Sequence, residues 1–145
     1  MPLLSTPAIE QMAVWIAGRF QGSPGTNNVL KIYKGTIPST ATGYDPSSYT
    51  SDELISLNAW TLTTLNESVI FSIFPDNTTP IAASGTAAWY AMQYTVTQPT
   101  YVIIGEVSNP AGDGTIKLTT TNLVAGGSPP NQIGNVTFNL QLLEA

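Results

Sequence analysis

The second half of the chain, from Gly85 to Leu142, is a succession of short alternating segments separated by Gly, Pro, Asn and Asp. The pattern is clearest from Ile133 to Leu142, where polar residues separate apolar ones at every second position: Val136, Phe138, Leu140 and Leu142. A period of two residues is typical of a strand with one buried face. Repeated strands at this spacing favour an antiparallel sandwich or barrel.

One helix is predicted near the N-terminus, over residues 5–21. Ser5 and Thr6, followed by Pro7, predict the start of a helix. The Gly22–Gly25 stretch predicts its end. Apolar residues recur between them at steps of three and four and form one stripe: Ile9, Met12, Ala13, Ile16 and Phe20. Such a stripe is expected to cover the sheet as a lid, and an arm to a neighbouring subunit is the alternative. Trp15 lies beside the stripe and is a predicted partner contact.

The whole chain, residues 1–145, is predicted to form a single domain. Three further strands are expected at Val29–Tyr33, Asp52–Leu62 and Glu67–Phe74. A chain of 145 residues buries roughly two thirds of its unfolded surface, which suffices for one core. The predicted fold is therefore mainly β: an antiparallel, jelly-roll-like β-sandwich over residues 29–142 with one short N-terminal amphipathic helix.

The segment from Gly35 to Thr50 is predicted to be a long loop, because Pro, Ser, Thr and Gly dominate it. Loops of this length are uncommon in compact domains and are often functional or ordered by a partner. Two of its residues, Tyr44 and Tyr49, are rigid aromatics that supply contact area at low entropic cost. We expect the loop to be mobile in the isolated protein, and Tyr44 and Tyr49 to contact a partner together with Trp15.

Charge is scarce in this chain. Charged residues make up 9% of it, against about 25% in an average domain, and a surface so poor in charge suits partial coverage in an assembly. The net charge is −5 with four basic residues, which argues against a nucleic-acid partner because phosphate binding needs clustered cations. The apolar stretches are shorter than a membrane span, so no membrane partner is expected. Met1–Ala8 lacks the basic residues of a signal peptide.

No catalytic, metal-binding or cofactor-binding residue is predicted. The chain has no His and no Cys, which removes the commonest general base, transition-metal ligand and thiol nucleophile. The acidic residues Asp45, Asp52 and Glu53 could suggest the carboxylate pair of a glycosidase. Adjacent residues of a strand point to opposite faces, however, so a solvated loop margin is preferred. The Asn109–Gly114 stretch offers calcium a single local carboxylate and is interpreted as a hairpin turn. The chain is therefore not expected to be an enzyme.

Several of these segments resemble, in the same order, a family of tailed-bacteriophage virion proteins. The resemblance lies in Gly-Thr-Ala-Ala-Trp-Tyr at 85–90, Gly-Glu-Val at 105–107, the run from Gly112 to Gly127, and a closing Val-x-Phe-x-Leu strand. The family's opening strand and turn are similar to Leu30–Pro38.

This resemblance implies a structural component of a phage virion. The leading expectation is an external capsid decoration or cement protein, made in the bacterial host cytoplasm and placed on the outer surface of the virion. Its partners would be the major capsid protein or tail proteins and copies of itself, bound through many repeated weak contacts. Two alternatives remain open: a tail, neck or baseplate component, and a receptor- or glycan-binding module that uses exposed aromatics.

Overall fold

The computed structural model describes residues 5–20, 28–42, 44–57, 61–65, 68–72, 80–94, 101–118, 120–127 and 136–139. These residues form one long helix, α1 (Thr6–Phe20), and ten strands. The strands are β1 (Val29–Tyr33), β2 (Glu53–Leu57), β3 (Thr61–Leu65), β4 (Ser68–Ser72), β5 (Gly85–Thr86), β6 (Trp89–Tyr94), β7 (Tyr101–Ser108), β8 (Ile116–Lys117), β9 (Asn122–Leu123) and β10 (Val136–Asn139). The prediction of a mainly β chain with one N-terminal helix is confirmed.

The largest sheet has five strands in the order β2-β1-β6-β7-β8 and curls like half a barrel. A three-stranded sheet, β10-β4-β3, and a two-stranded one, β5-β9, complete the described strands. All pairs are antiparallel except β7 with β8, which run parallel with Val107 opposite Ile116. The prediction of a purely antiparallel arrangement is therefore wrong at this pair.

The parallel pair results from a tight loop after β7. The backbone N–H of Gly114 donates to the Ser108 hydroxyl at 3.0 Å, and the N–H of Ala111 donates to the Asn109 side chain at 3.1 Å. A β-carbon on Gly114 would lie 2.5 Å from the Ser108 backbone nitrogen, so only glycine lets the chain pass this close. The predicted turn is confirmed, but it returns the chain parallel to β7, so a hairpin was the wrong interpretation.

Strand β6 lies in the middle of the five-stranded sheet, and both of its faces are buried. Tyr90 and Met92 contribute to a core beneath α1, which we call the helix-side core. It also contains Ala13, Phe20, Leu30, Ile32, Leu54, Ile55, Leu57, Ile81, Ala87, Val107, Ile116, Leu118 and Leu123. Trp89 and Ala91 lie on the other face of the sheet, with Tyr33 of β1. Alternation along one strand thus divides the sheet between two cores.

Helix α1 contacts strands β3, β4 and β6 of its own chain, which confirms the lid interpretation. Its first turn begins at Ser5, whose carbonyl accepts the Ile9 N–H at 3.1 Å. Ile9, Ala13 and Phe20 are buried as predicted. Met12 is 40% exposed, so the buried stripe is narrower than the sequence indicated.

One predicted strand differs from the structure. The single strand expected at Asp52–Leu62 is divided between β2 and β3, which belong to different sheets. The third predicted strand is present as β4. The final strand is β10, with Phe138 opposite Val69, but the inward or outward facing predicted for its side chains lies outside what the structure describes.

Candidate functional site

In the segment between Gly35 and Thr50, described except for residue 43, three side chains pack against the rest of the domain: Ile37, Tyr44 and Tyr49. The mobility expected of the loop in the isolated protein stays a prediction. Pro46–Tyr49 form a short 3₁₀ helix, capped by the Asp45 carboxylate, which accepts from the Ser47 N–H at 3.0 Å and the Ser47 hydroxyl at 2.8 Å. The Asp52 N–H donates to the Tyr49 carbonyl at 2.9 Å, which ties the segment to the start of β2. Local capping and tertiary contacts therefore define the backbone conformation around Pro46–Tyr49, although the composition of the segment indicated none.

Four aromatic rings, which we call the aromatic cluster, hold this segment against the sheet: Tyr33, Tyr44, Tyr49 and Trp89. Strand pairing places Tyr33 opposite Trp89, and their rings stack with centroids 4.2 Å apart. Tyr44 and Tyr49 stack on each other at 5.8 Å, and Tyr49 meets Trp89 edge-on at 5.1 Å. Stacked and edge-to-face arrangements are the favoured geometries for aromatic pairs. The two loop tyrosines therefore rest on a platform built by β1 and β6.

A chain of hydrogen bonds fixes the hydroxyl groups of this cluster. The Gln93 amide donates to the Tyr44 hydroxyl, and the Tyr44 and Tyr33 hydroxyls share a second hydrogen bond. The Trp89 indole N–H donates to the Lys34 carbonyl at 3.2 Å. Burial is the main cause that raises the pKa of both Tyr33 and Tyr44 above the ordinary tyrosine value. Both hydroxyls are therefore neutral at physiological pH.

An open depression of about 550 Å³ lies between the loop residues around Tyr44 and strands β6 and β7. Its lining combines aromatic, aliphatic and polar groups: Ala41, Thr42, Tyr44, Asp45, Pro46, Gln93, Tyr101 and Val102. Gln93 and Val102 are opposite each other in the β6–β7 register. Such a mixture of apolar surface with a few polar groups is typical of small-ligand sites.

A second exposed feature lies on α1. Met12, Trp15 and Arg19 follow one another at steps of three and four on its surface, and we call them the exposed helix face. The Trp15 side chain is 46% exposed, and the Arg19 guanidinium lies over its ring, 5.6 Å from the centroid. The Trp15 ring also meets Tyr101 edge-on at 5.5 Å. The Tyr101 ring therefore packs against the exposed helix face.

The three residues predicted to contact a partner lie on two faces of the sheet. Trp15 packs against the Tyr101 ring on the helix side, whereas Tyr44 lines the depression on the other face. Tyr49 stacks on Tyr44 but is not part of the lining. Sequence reasoning missed Gln93 and did not name Tyr101 as a partner contact. A signal for Gln93 was present, since it is the one polar residue on the strand face that carries Trp89 and Ala91.

Two residues of the predicted acidic group, Asp45 and Glu53, have structural contacts. Asp45 caps the 3₁₀ helix, and its hydrogen bonds from Ser47 lower the pKa of the Asp45 carboxyl. Glu53 forms an ion pair with Lys31 at 2.8 Å. Within the described part of the chain, no group of three or more His, Cys, Asp or Glu residues could hold a metal ion.

Comparison of the chain with protein-family models, curated proteins and solved structures gave no match. Among the residues that the structure describes, no helix is long and apolar enough to span a membrane.

Proposed function

We propose that this protein is a non-enzymatic structural component of a tailed-phage virion, which decorates the outer surface of the capsid. Its partners would be the major capsid protein and copies of itself. The resemblance over residues 85–127 supports the assignment, and so does the low charge of the chain. The observation that carries the proposal is the exposed helix face, which leaves a tryptophan and a methionine in solvent beside Tyr101.

The exposed helix face has the composition of a protein-binding surface. Trp15 and Arg19 belong to the residue types that contribute most to binding at interfaces. Their mutual contact holds the tryptophan ring in place, so little side-chain freedom is lost when a partner covers it. The opposite side of α1 is buried on the sheet, which makes the helix a rigid support.

A single contact through the exposed helix face is weak, but many copies of it together bind tightly. A capsid presents the same neighbouring surface many times, and linked contacts raise the total affinity by orders of magnitude. We propose in addition that the five-stranded and three-stranded sheets are the two layers of a jelly-roll-like sandwich. Helix α1 contacts strands of both sheets, which supports this arrangement.

The alternative position in the virion is the tail, the neck or the baseplate. Quantitative gel densitometry of purified virions separates the two positions. A copy number comparable with that of the major capsid protein supports a shell component. A copy number typical of a single ring of subunits would contradict the capsid assignment and support the alternative.

The docking role is tested with Trp15→Ala and with capsids from phage that lack this chain. We expect wild-type protein to co-sediment with these capsids and Trp15→Ala to bind at least about tenfold more weakly. Val124→Ala is the matched control, because Val124 is 65% exposed and lies outside the helix. Failure of the wild type to bind, or equal binding by Trp15→Ala, would overturn the proposal.

A further inference from the structure

We propose that the depression between Tyr44 and Tyr101 is a binding site for a neutral saccharide. This activity goes beyond the structural role proposed above and uses a neighbouring part of the surface. The site is formed by the loop around Tyr44 and by β6 and β7.

The size and openness of the depression suit one or two sugar rings. Small-molecule sites commonly enclose about 300–1,000 Å³, and this depression of about 550 Å³ lies within that range. It is open to solvent, so a longer chain could leave the site without steric conflict. A closed cavity of the same volume would exclude such a ligand.

The lining offers both kinds of contact that a sugar ring needs. Tyr44 supplies an aromatic face, whose negative electrostatic potential attracts the weakly positive C–H groups of a sugar. Thr42 and Asp45 supply hydroxyl and carboxylate groups for sugar hydroxyls. Gln93 is buried and positions the Tyr44 hydroxyl, to which its amide donates.

The charge of the lining selects against anionic ligands. No Lys or Arg lines the depression, and its one ionisable acid is Asp45. Hydrogen bonds from Ser47 favour the charged form of that carboxylate. A phosphate, a sulfate or a sialic acid would therefore meet repulsion without compensation, whereas an uncharged sugar would not.

The site is organised before any ligand arrives. The hydroxyl of Tyr44 is held by Gln93 and Tyr33, and its ring stacks on Tyr49. Gln93 itself is only 4% exposed, so its amide is fixed within the sheet. Groups that are already ordered lose little entropy on binding, which raises affinity for a given set of contacts.

Saturation-transfer NMR on the purified full chain tests the proposal with four probes: maltotriose, lactose, triacetylchitotriose and the anionic control 3′-sialyllactose. We expect transfer to at least one neutral probe and weaker transfer to sialyllactose. Tyr44→Ala should weaken binding of that probe at least about tenfold, whereas Tyr44→Phe should keep it because the ring remains.

Three results would overturn the proposal: no binding of any neutral probe, preferred binding of sialyllactose, or unchanged affinity in Tyr44→Ala. A thermal melt of each variant establishes that it is folded. Trp15→Ala should bind the neutral probe within about threefold of wild type while it loses affinity for capsids. This pair of measurements separates failure of the saccharide site from failure of the docking role.

Discussion

The two faces of the five-stranded sheet differ in what holds them together. On one face, Met92 lies in the helix-side core, which α1 covers and which consists mainly of aliphatic side chains. On the other face, Trp89 supports stacked rings and a hydrogen-bond chain that ends at an open depression. Side chains of one strand therefore contribute to both faces. Those on the helix side stabilise the core, whereas those on the aromatic side also position the loop residues beside the depression.

The physical consequences of the two faces also differ. Aliphatic packing is non-directional, so its loss lowers stability in proportion to the surface and volume removed. The aromatic cluster depends on ring angles and on hydroxyl partners, so its loss should also displace the loop that carries Tyr44. The predictions below test whether the two faces can be separated in this way.

The largest effect is expected for Trp89→Ala on the aromatic side. Truncating a fully buried tryptophan costs about 3–5 kcal/mol in free energy of unfolding, which urea denaturation measures. Because Tyr49 and Tyr33 rest on this ring, hydrogen exchange from Pro46 to Tyr49 should accelerate in the variant. Unchanged exchange in this segment would show that the cluster does not hold the loop.

The matched change on the helix side is Met92→Ala. Met92 is fully buried, and its truncation should cost about 2–5 kcal/mol by urea denaturation. Exchange from Pro46 to Tyr49 should stay as in the wild type under native conditions, because the loop packs on the opposite face. Faster exchange there, beyond what the loss of global stability explains, would contradict the separation of the two faces.

Gln93→Leu is expected to have a smaller effect. The variant keeps apolar bulk but removes the donor to the Tyr44 hydroxyl, and losing one buried hydrogen-bond partner costs about 1–3 kcal/mol. A double-mutant cycle with Tyr44→Phe isolates the interaction by urea denaturation. We expect a coupling energy above about 0.5 kcal/mol, and strictly additive effects would mean that this hydrogen bond contributes nothing.

The smallest effect concerns alkaline pH. Burial raises the pKa of Tyr33 and Tyr44, and it raises that of Tyr90 to about 12, whereas an unfolded tyrosine titrates near 10. Folding thus favours the neutral phenols. Their contribution to the free energy of unfolding is therefore complete below about pH 10 and is lost as the pH rises further. The urea midpoint should fall above about pH 10, and Tyr33→Phe should reduce the slope. A midpoint that rises over this range would contradict the assignment.

The elements that sequence predicted well are those set by local patterns. Helix α1 and strand β1 follow from periodicity and from the Pro and Gly residues around them. The parallel β7–β8 pair was missed because it depends on the close approach of Gly114 to Ser108, which no periodicity records. The division of residues 52–62 between two sheets was missed because apolar alternation does not specify the partner strand.

The candidate site was predictable only in part. Trp15, Tyr44 and Tyr49 stood out as aromatics in a helix flank and a loop, and the structure stacks Tyr44 on Tyr49 and packs Trp15 against Tyr101. Tyr101 itself begins a strand and looked like a core residue. Its position beside Trp15 arises from tertiary packing between segments distant in sequence, which a single sequence does not reveal.

Hydroxyl-radical footprinting of the protein, free and bound to capsids, tests the docking account most directly. Trp15 and Met12 are 46% and 40% exposed, and both side-chain types react readily, so we expect strong oxidation in the free protein. Binding should reduce their oxidation several-fold, while exposed Val124 stays equally reactive and buried Trp89 stays unreactive in both states. Equal oxidation of Trp15 in the free and bound protein would show that the exposed helix face is not the docking surface.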